Sequence, residues 1–205
     1  MIDVLDAAAH LSGIDAVAAL DEYPWLGAAI DADVVARRFA EWGASTVIDE
    51  NIDAAVISRE VFDSLHDRAG LSAQWPVGNA GVLHVYGYLL SKVETPYGLK
   101  RARWMNGSLA AAYGLPTDAF VPWASSRTLL ERASESARSL LSRAECIRRT
   151  SGATLALDRS SRSGDWALVY VVDGLLVTTF PVASVEQILA DWDADPERLR
   201  WNAVR

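Results

Sequence analysis

The stretch HVYGYLLSKVETPYGLKRARW, residues 84–104, gathers the side chains best suited to chemistry in this chain. Histidine moves protons near neutral pH because its unperturbed pKa lies there. Arg101 and Arg103 present forked donors that grip a carboxylate or phosphate. Tyr86 and Tyr88 add hydroxyls on flat apolar walls. Strands are expected over residues 82–93 and 99–105. If they form a hairpin closed by Pro96-Tyr97, Glu94 faces Leu99, Lys92 faces Arg101 and Leu90 faces Arg103. One face then carries His84, Tyr86, Tyr88, Arg101 and Arg103, and the other is nearly apolar. The turn residues point to a second register. Pro96 and Gly98 suit a type I turn with a glycine bulge, which sets Leu90 opposite Trp104. The segregation of faces favours the first.

In that register His84 and Tyr86 are the expected catalytic pair, while Tyr88, Arg101 and Arg103 hold the substrate. A small anionic molecule fits, such as a carboxylate or amino acid. The expected reaction is acid–base chemistry of the lyase, isomerase or deaminase kind, with no metal and no cofactor. The competing reading is bland: alternating polar residues also describe the wet face of an ordinary hairpin. The chain would then be a non-catalytic binding or protein-interaction module.

Other reactive residues add little. His10 and His66 fall on expected helices and read as solvated surface groups, His66 within reach of Asp63. No histidine pair has metal-ligand spacing. Cys146 is alone, so neither an intramolecular disulfide nor a cysteine-based zinc site can form. Arg148 and Arg149 beside it favour a thiolate, but with no base nearby it reads as inert. GxSxG, GxGxxG and Walker patterns are missing. A formal net charge of −8 disfavours nucleic acid as a partner. No run of about 18 apolar residues marks a membrane span. MIDVLDAAAHL lacks the basic and apolar regions of a signal peptide, so a cytoplasmic location is expected. Trp25, Trp75 and Trp123 sit beside prolines in connecting segments, where they can pin loops or form a partner interface; a homodimer stays open.

The surrounding pattern predicts one α+β domain over residues 1–205. A helical N-terminal subregion (1–70) precedes an antiparallel sheet with helices packed on it (82–205). Val35, Phe39 and Trp42 fall on one helical face, begun by Asp31 or Asp33 and stopped by Gly43. Ile57, Val61 and Leu65 repeat every four residues before Gly70. Residues 125–146 carry a helical stripe of Leu130, Ala133, Ala137, Leu140, Leu141 and Ala144, capped by Ser126. In DWALVYVVDGLLVTTFPV, Asp173-Gly174 suits a type I′ turn between two strands, pairing Val172 with Leu175 and Tyr170 with Val177. Both faces of that ribbon are apolar, so an inner pair is expected, with ATLALD as a third strand. Ser184 and Gln187 have capping-box spacing ahead of the stripe Val185, Ile188, Leu189 and Trp192.

Overall fold

The computed structural model describes residues 24–196. The expected helix before residue 24 and His10 lie outside them. Helix α1, Pro24–Val35, ends where Arg37 turns left-handed at φ 57°. The proposed single face over Val35, Phe39 and Trp42 is therefore broken. Val35 is 85% exposed, whereas Phe39 and Trp42 are buried from a 3-10 turn at Arg38–Glu41 and the residue after it. Residues 44–55, expected to be helical, form short strands instead: β1, Ala44–Thr46, β2, Ile48–Asp49, and β3, Ala54–Ala55, which pairs with β2. Thr46, Val47 and Ile48 favour extended backbone. Helix α2, Arg59–Arg68, follows the expected pattern. Ser58 accepts from the Val61 N–H at 3.3 Å; Ile57, Val61 and Leu65 are buried; Gly70 closes the end at φ 64°.

His66 is the exception on α2. It is buried, not solvated, because β4, Val77–Asn79, pairs with β1 and crosses the helix there. Its Nε2 accepts from the Asn79 N–H at 3.0 Å, so Nδ1 carries the proton and donates to the Phe62 carbonyl at 2.8 Å. Burial holds its pKa below the ordinary value.

Residues 82–90, expected as a strand, are helical: a π turn over Val82–Tyr86 runs into a 3-10 turn over Gly87–Leu90. Asn79 starts this segment, its Oδ1 accepting from Gly81 N at 3.0 Å and Val82 N at 3.2 Å. Every residue from 80 to 91 is buried. The predicted hairpin shrinks to β5, Glu94–Thr95, and β6, Gly98–Leu99. Its turn register holds, with Glu94 opposite Leu99, while Gly98 takes the positive φ of 78° that the turn residues foretold. Beyond it come two short helices, α3, Ala102–Met105, and α4, Ser108–Ala112.

Helix α5, Leu129–Arg143, is capped by Thr128, not Ser126, and buries Leu130, Ala133, Ala137 and Leu140. Four antiparallel strands follow: β7, Cys146–Arg149, β8, Ala153–Arg159, β9, Trp166–Val172, and β10, Leu175–Val182, in the order β10-β9-β8-β7. Cys146 thus opens a strand. Asp173 and Gly174 have φ of 50° and 82°, as a type I′ turn requires, and Val172 faces Leu175. The register then shifts between Leu176 and Thr178, so Tyr170 faces Thr178 rather than Val177. This bulge was not anticipated. Nor is β10 an inner strand. Its apolar faces report cover above and below, not pairing alongside. One side of the sheet, with Ala156, Val169 and Leu176, joins the main core; the other, with Leu155, Leu168 and Tyr170, meets helix α6, Val185–Ala194. Trp192 is buried there, with Val185, Ile188 and Leu189 partly buried around it. The architecture is α+β. Among the described residues no helix is long and apolar enough to cross a membrane.

Candidate functional site

Helical geometry redistributes the five predicted residues. Side chains four apart share a helix face, and those two apart diverge. His84 and Tyr88 therefore stack, with ring centroids 4.8 Å apart and planes inclined by 27°. Tyr86 leaves on another side and donates its hydroxyl to Asp33. Asp33 also accepts from Thr128 Oγ1 at 2.6 Å and Arg38 at 3.3 Å, and Arg38 continues to Glu131 at 2.9 Å. Burial raises the Asp33 pKa against these donors, and burial with the neighbouring Asp33 pushes the Tyr86 phenol well above its ordinary value. This network ties α1 to α5 and is separate from the other four residues.

Tyr88 is the centre of the remaining group. Arg103 Cζ lies 5.3 Å from its ring centroid and Lys100 Nζ 5.6 Å. The Arg103 guanidinium is also 5.5 Å from the Phe180 ring and donates to Thr178 Oγ1 at 3.1 Å. The bulge in β10 fixes the register that points Thr178 and Phe180 to this place. Lys100 forms an ion pair with Asp49, whose other oxygen accepts from the Asn51 backbone at 2.9 Å. Burial would raise the Asp49 pKa, but Lys100 and Asn51 hold it below the ordinary value. For Lys100 burial acts first, lowering the pKa; Asp49 opposes and Arg103 reinforces. Lys100, rather than Arg101, is the second positive charge acting on His84. Arg101 stands at the start of α3, partly exposed.

His84 lies beneath, only 2% exposed, with Nε2 3.0 Å from Ser45 Oγ on β1. Nδ1 lacks a partner of hydrogen-bond geometry. Burial, then Arg103 and Lys100, drive the imidazole pKa far below its ordinary value, while the Val177 backbone pulls weakly the other way. The ring is neutral at physiological pH. Burial pushes the Tyr88 phenol up to about 12, with Arg103 opposing. Its hydroxyl is therefore protonated, and it makes no hydrogen bond to the described residues.

Ser45, Asp49, Lys100, Thr178 and Phe180 were not foreseen. Lys100 alone stood inside the quoted stretch; the others come from distant strands and carry no local signal. Two grooves open elsewhere on the described surface. One of about 610 Å³ is lined by Trp42, Trp75, Pro76 and Leu175, and one of about 340 Å³ by Ile57, Trp75, Leu90 and Lys92. Neither includes Tyr88 or Arg103. No group of three or more His, Cys, Asp or Glu side chains among the described residues is placed to hold a metal ion. No family model, curated protein or solved structure matches the chain.

Proposed function

We propose that the chain binds a small organic acid over Tyr88, between Arg103 and Lys100, and acts on it by proton transfer of the lyase, isomerase or deaminase kind. Arg103 carries this reading. Its guanidinium rests between two aromatic rings and bonds a threonine hydroxyl, but pairs with no carboxylate among the described residues. Asp49 is engaged by Lys100, so one positive charge is left over in a place where burial is already costly. A carboxylate arriving at the forked donors offsets that cost. In this reading the Lys100–Asp49 pair moves the proton, and the buried Tyr88 ring is the floor beneath the ligand. The neutral His84 ring supports it from below, in place of the proton-moving role its residue type suggests. The mostly apolar groove at Trp42 and Trp75 supports a second reading, a binding module without chemistry.

Titration calorimetry with acetate, pyruvate, amino acids and inorganic phosphate tests the proposal. Arg103→Ala is expected to weaken the best ligand by about 10- to 150-fold, the worth of a charge-assisted hydrogen bond. Binding that ignores the substitution, or no binding by any of these acids, would remove the anion site.

A further inference from the structure

Resting on that anion site, we infer that Lys100 is a nucleophile that forms an imine with the carbonyl carbon of an oxo acid whose carboxylate sits on Arg103. Composition supplies one reason. Of the 19 basic residues, only Lys92 and Lys100 are lysines. Arginine is the usual choice for a partly buried ion pair, and this chain uses it against Asp33 and Asp158. At Asp49 it uses lysine. The chemical difference is that an amine can give up its proton and attack carbon, whereas a guanidinium stays charged.

Placement supplies the second reason. Lys100 and Arg103 are three residues apart on one turn, closed by Arg103 N–H to the Lys100 carbonyl at 3.3 Å, and both reach over the Tyr88 ring. A 2-oxo acid held by its carboxylate on the guanidinium presents its next carbon towards the amine. The Lys100 side chain is 14% exposed, so a ligand can reach it, which the covered His84 does not allow. Burial and the neighbouring guanidinium both favour the neutral amine, the combination that activates lysine nucleophiles.

The step balances without any oxidant or reductant. The Lys100 ammonium passes a proton to Asp49, and the freed lone pair bonds to the carbonyl carbon. The carbonyl oxygen takes that proton back from Asp49, then the second proton the amine loses, again through Asp49, and leaves as water while the C=N bond forms. Both protons lost by the ammonium end in that water. The positive charge remains on the iminium nitrogen, beside Asp49.

Incubating the full chain with pyruvate and cyanoborohydride, followed by peptide mass mapping, tests this. The expected product is a reduced adduct on Lys100, with the mass of the acid less water plus dihydrogen, saturating with pyruvate. The exposed Lys92 is the internal control and is expected to remain unlabelled. Lys100→Arg should abolish the adduct, and Arg103→Gln should cut its yield about tenfold or more at low pyruvate. Absence of adduct from Lys100, or labelling of Lys92 to the same extent, overturns the inference. If calorimetry still shows Arg103-dependent binding of the acid, the anion site survives that failure; if it does not, both fall.

Discussion

Gly78 has room for a hydrogen and nothing more. A Cβ there would lie 2.3 Å from His66 Nε2, 2.5 Å from Cε1 and 2.9 Å from Phe62 Cε2. The imidazole cannot simply retreat. Its Nδ1 is held by the Phe62 carbonyl at 2.8 Å, and its ring packs on Phe62 with centroids 4.2 Å apart. Gly78→Ala therefore incurs two costs. Forcing a packed side chain aside costs about 1–3 kcal/mol. Moving Nε2 also strips the Asn79 N–H of its acceptor, for about 1–3 kcal/mol more. The sum, roughly 2–6 kcal/mol, should lower the melting temperature by roughly 4–24 °C at this chain length. Gly43→Ala is the control, since its Cβ would come no nearer than 3.4 Å to any of its neighbours on Leu175 and Val177; its effect should stay within ~1 kcal/mol. In a His66→Ala background the Gly78→Ala cost should shrink, because the two shortest clashes are gone and only that with Phe62 remains. Melts in which Gly78→Ala matches Gly43→Ala, or in which its cost is unchanged without the imidazole, would refute the reasoning.

Buried His66 and His84 are held neutral when folded, mainly by burial, but take protons near 6.5 when unfolded. Below about pH 6.5 the unfolded chain thus binds more protons. Their contribution to stability is complete above that pH and falls as acid is added, by up to about 1.4 kcal/mol per pH unit for each ring. The direct check is magnetic resonance of the folded protein: a His66 or His84 imidazole titrating at its ordinary value contradicts the assignment. Gly174→Val should cost about 1–3 kcal/mol in a urea melt through its φ of 82° alone, because no atom lies near enough to clash. Trp192→Ala should cost about 3–5 kcal/mol and the half-buried Leu189→Ala less, and a reversed order by chemical denaturation would mean α6 docks differently.

Legibility in the sequence followed how much of each element faces water. Helices α2 and α5 have one wet side, so Ile57, Val61 and Leu65, and Leu130, Ala133 and Ala137, mark a period of 3.6. The Asp173-Gly174 turn was readable because its backbone demands those residues. The segment 82–90 has no wet side at all, so polarity could not report its period. Tyr86 and His84 alternate with apolar neighbours yet bond inside the fold, Tyr86 to Asp33 and His84 through Nε2 to Ser45. A signal did exist in Asn79, which caps that segment. Arg103 was expected on a strand opposite Leu90 but lies on the short helix α3, where its guanidinium still comes to the Tyr88 ring. Its companion Lys100 depends on Asp49, fifty-one residues earlier, and its ring neighbour Phe180 depends on a bulge. Neither long-range pairing nor a one-residue slip leaves a local trace.

The fully covered segment 82–90 also sets a problem for the ribosome. Helix α2 and the residues Asp33, Phe39 and Ser45, which pack on it, are translated first, but two further covers come later. Leu130 of α5 lies against the start of the segment, and Val177 of β10 approaches His84. At about 5–20 residues per second, β10 follows on the order of 5–20 s after residue 90 leaves the peptidyl-transferase centre. During that interval a nascent chain presents a continuous apolar helix-former with no surface of its own to show to water, the kind of transient exposure that recruits chaperones. Codon choice and holdase supply between residues 90 and 182 therefore bear on the yield of folded protein, through synthesis rather than through equilibrium stability.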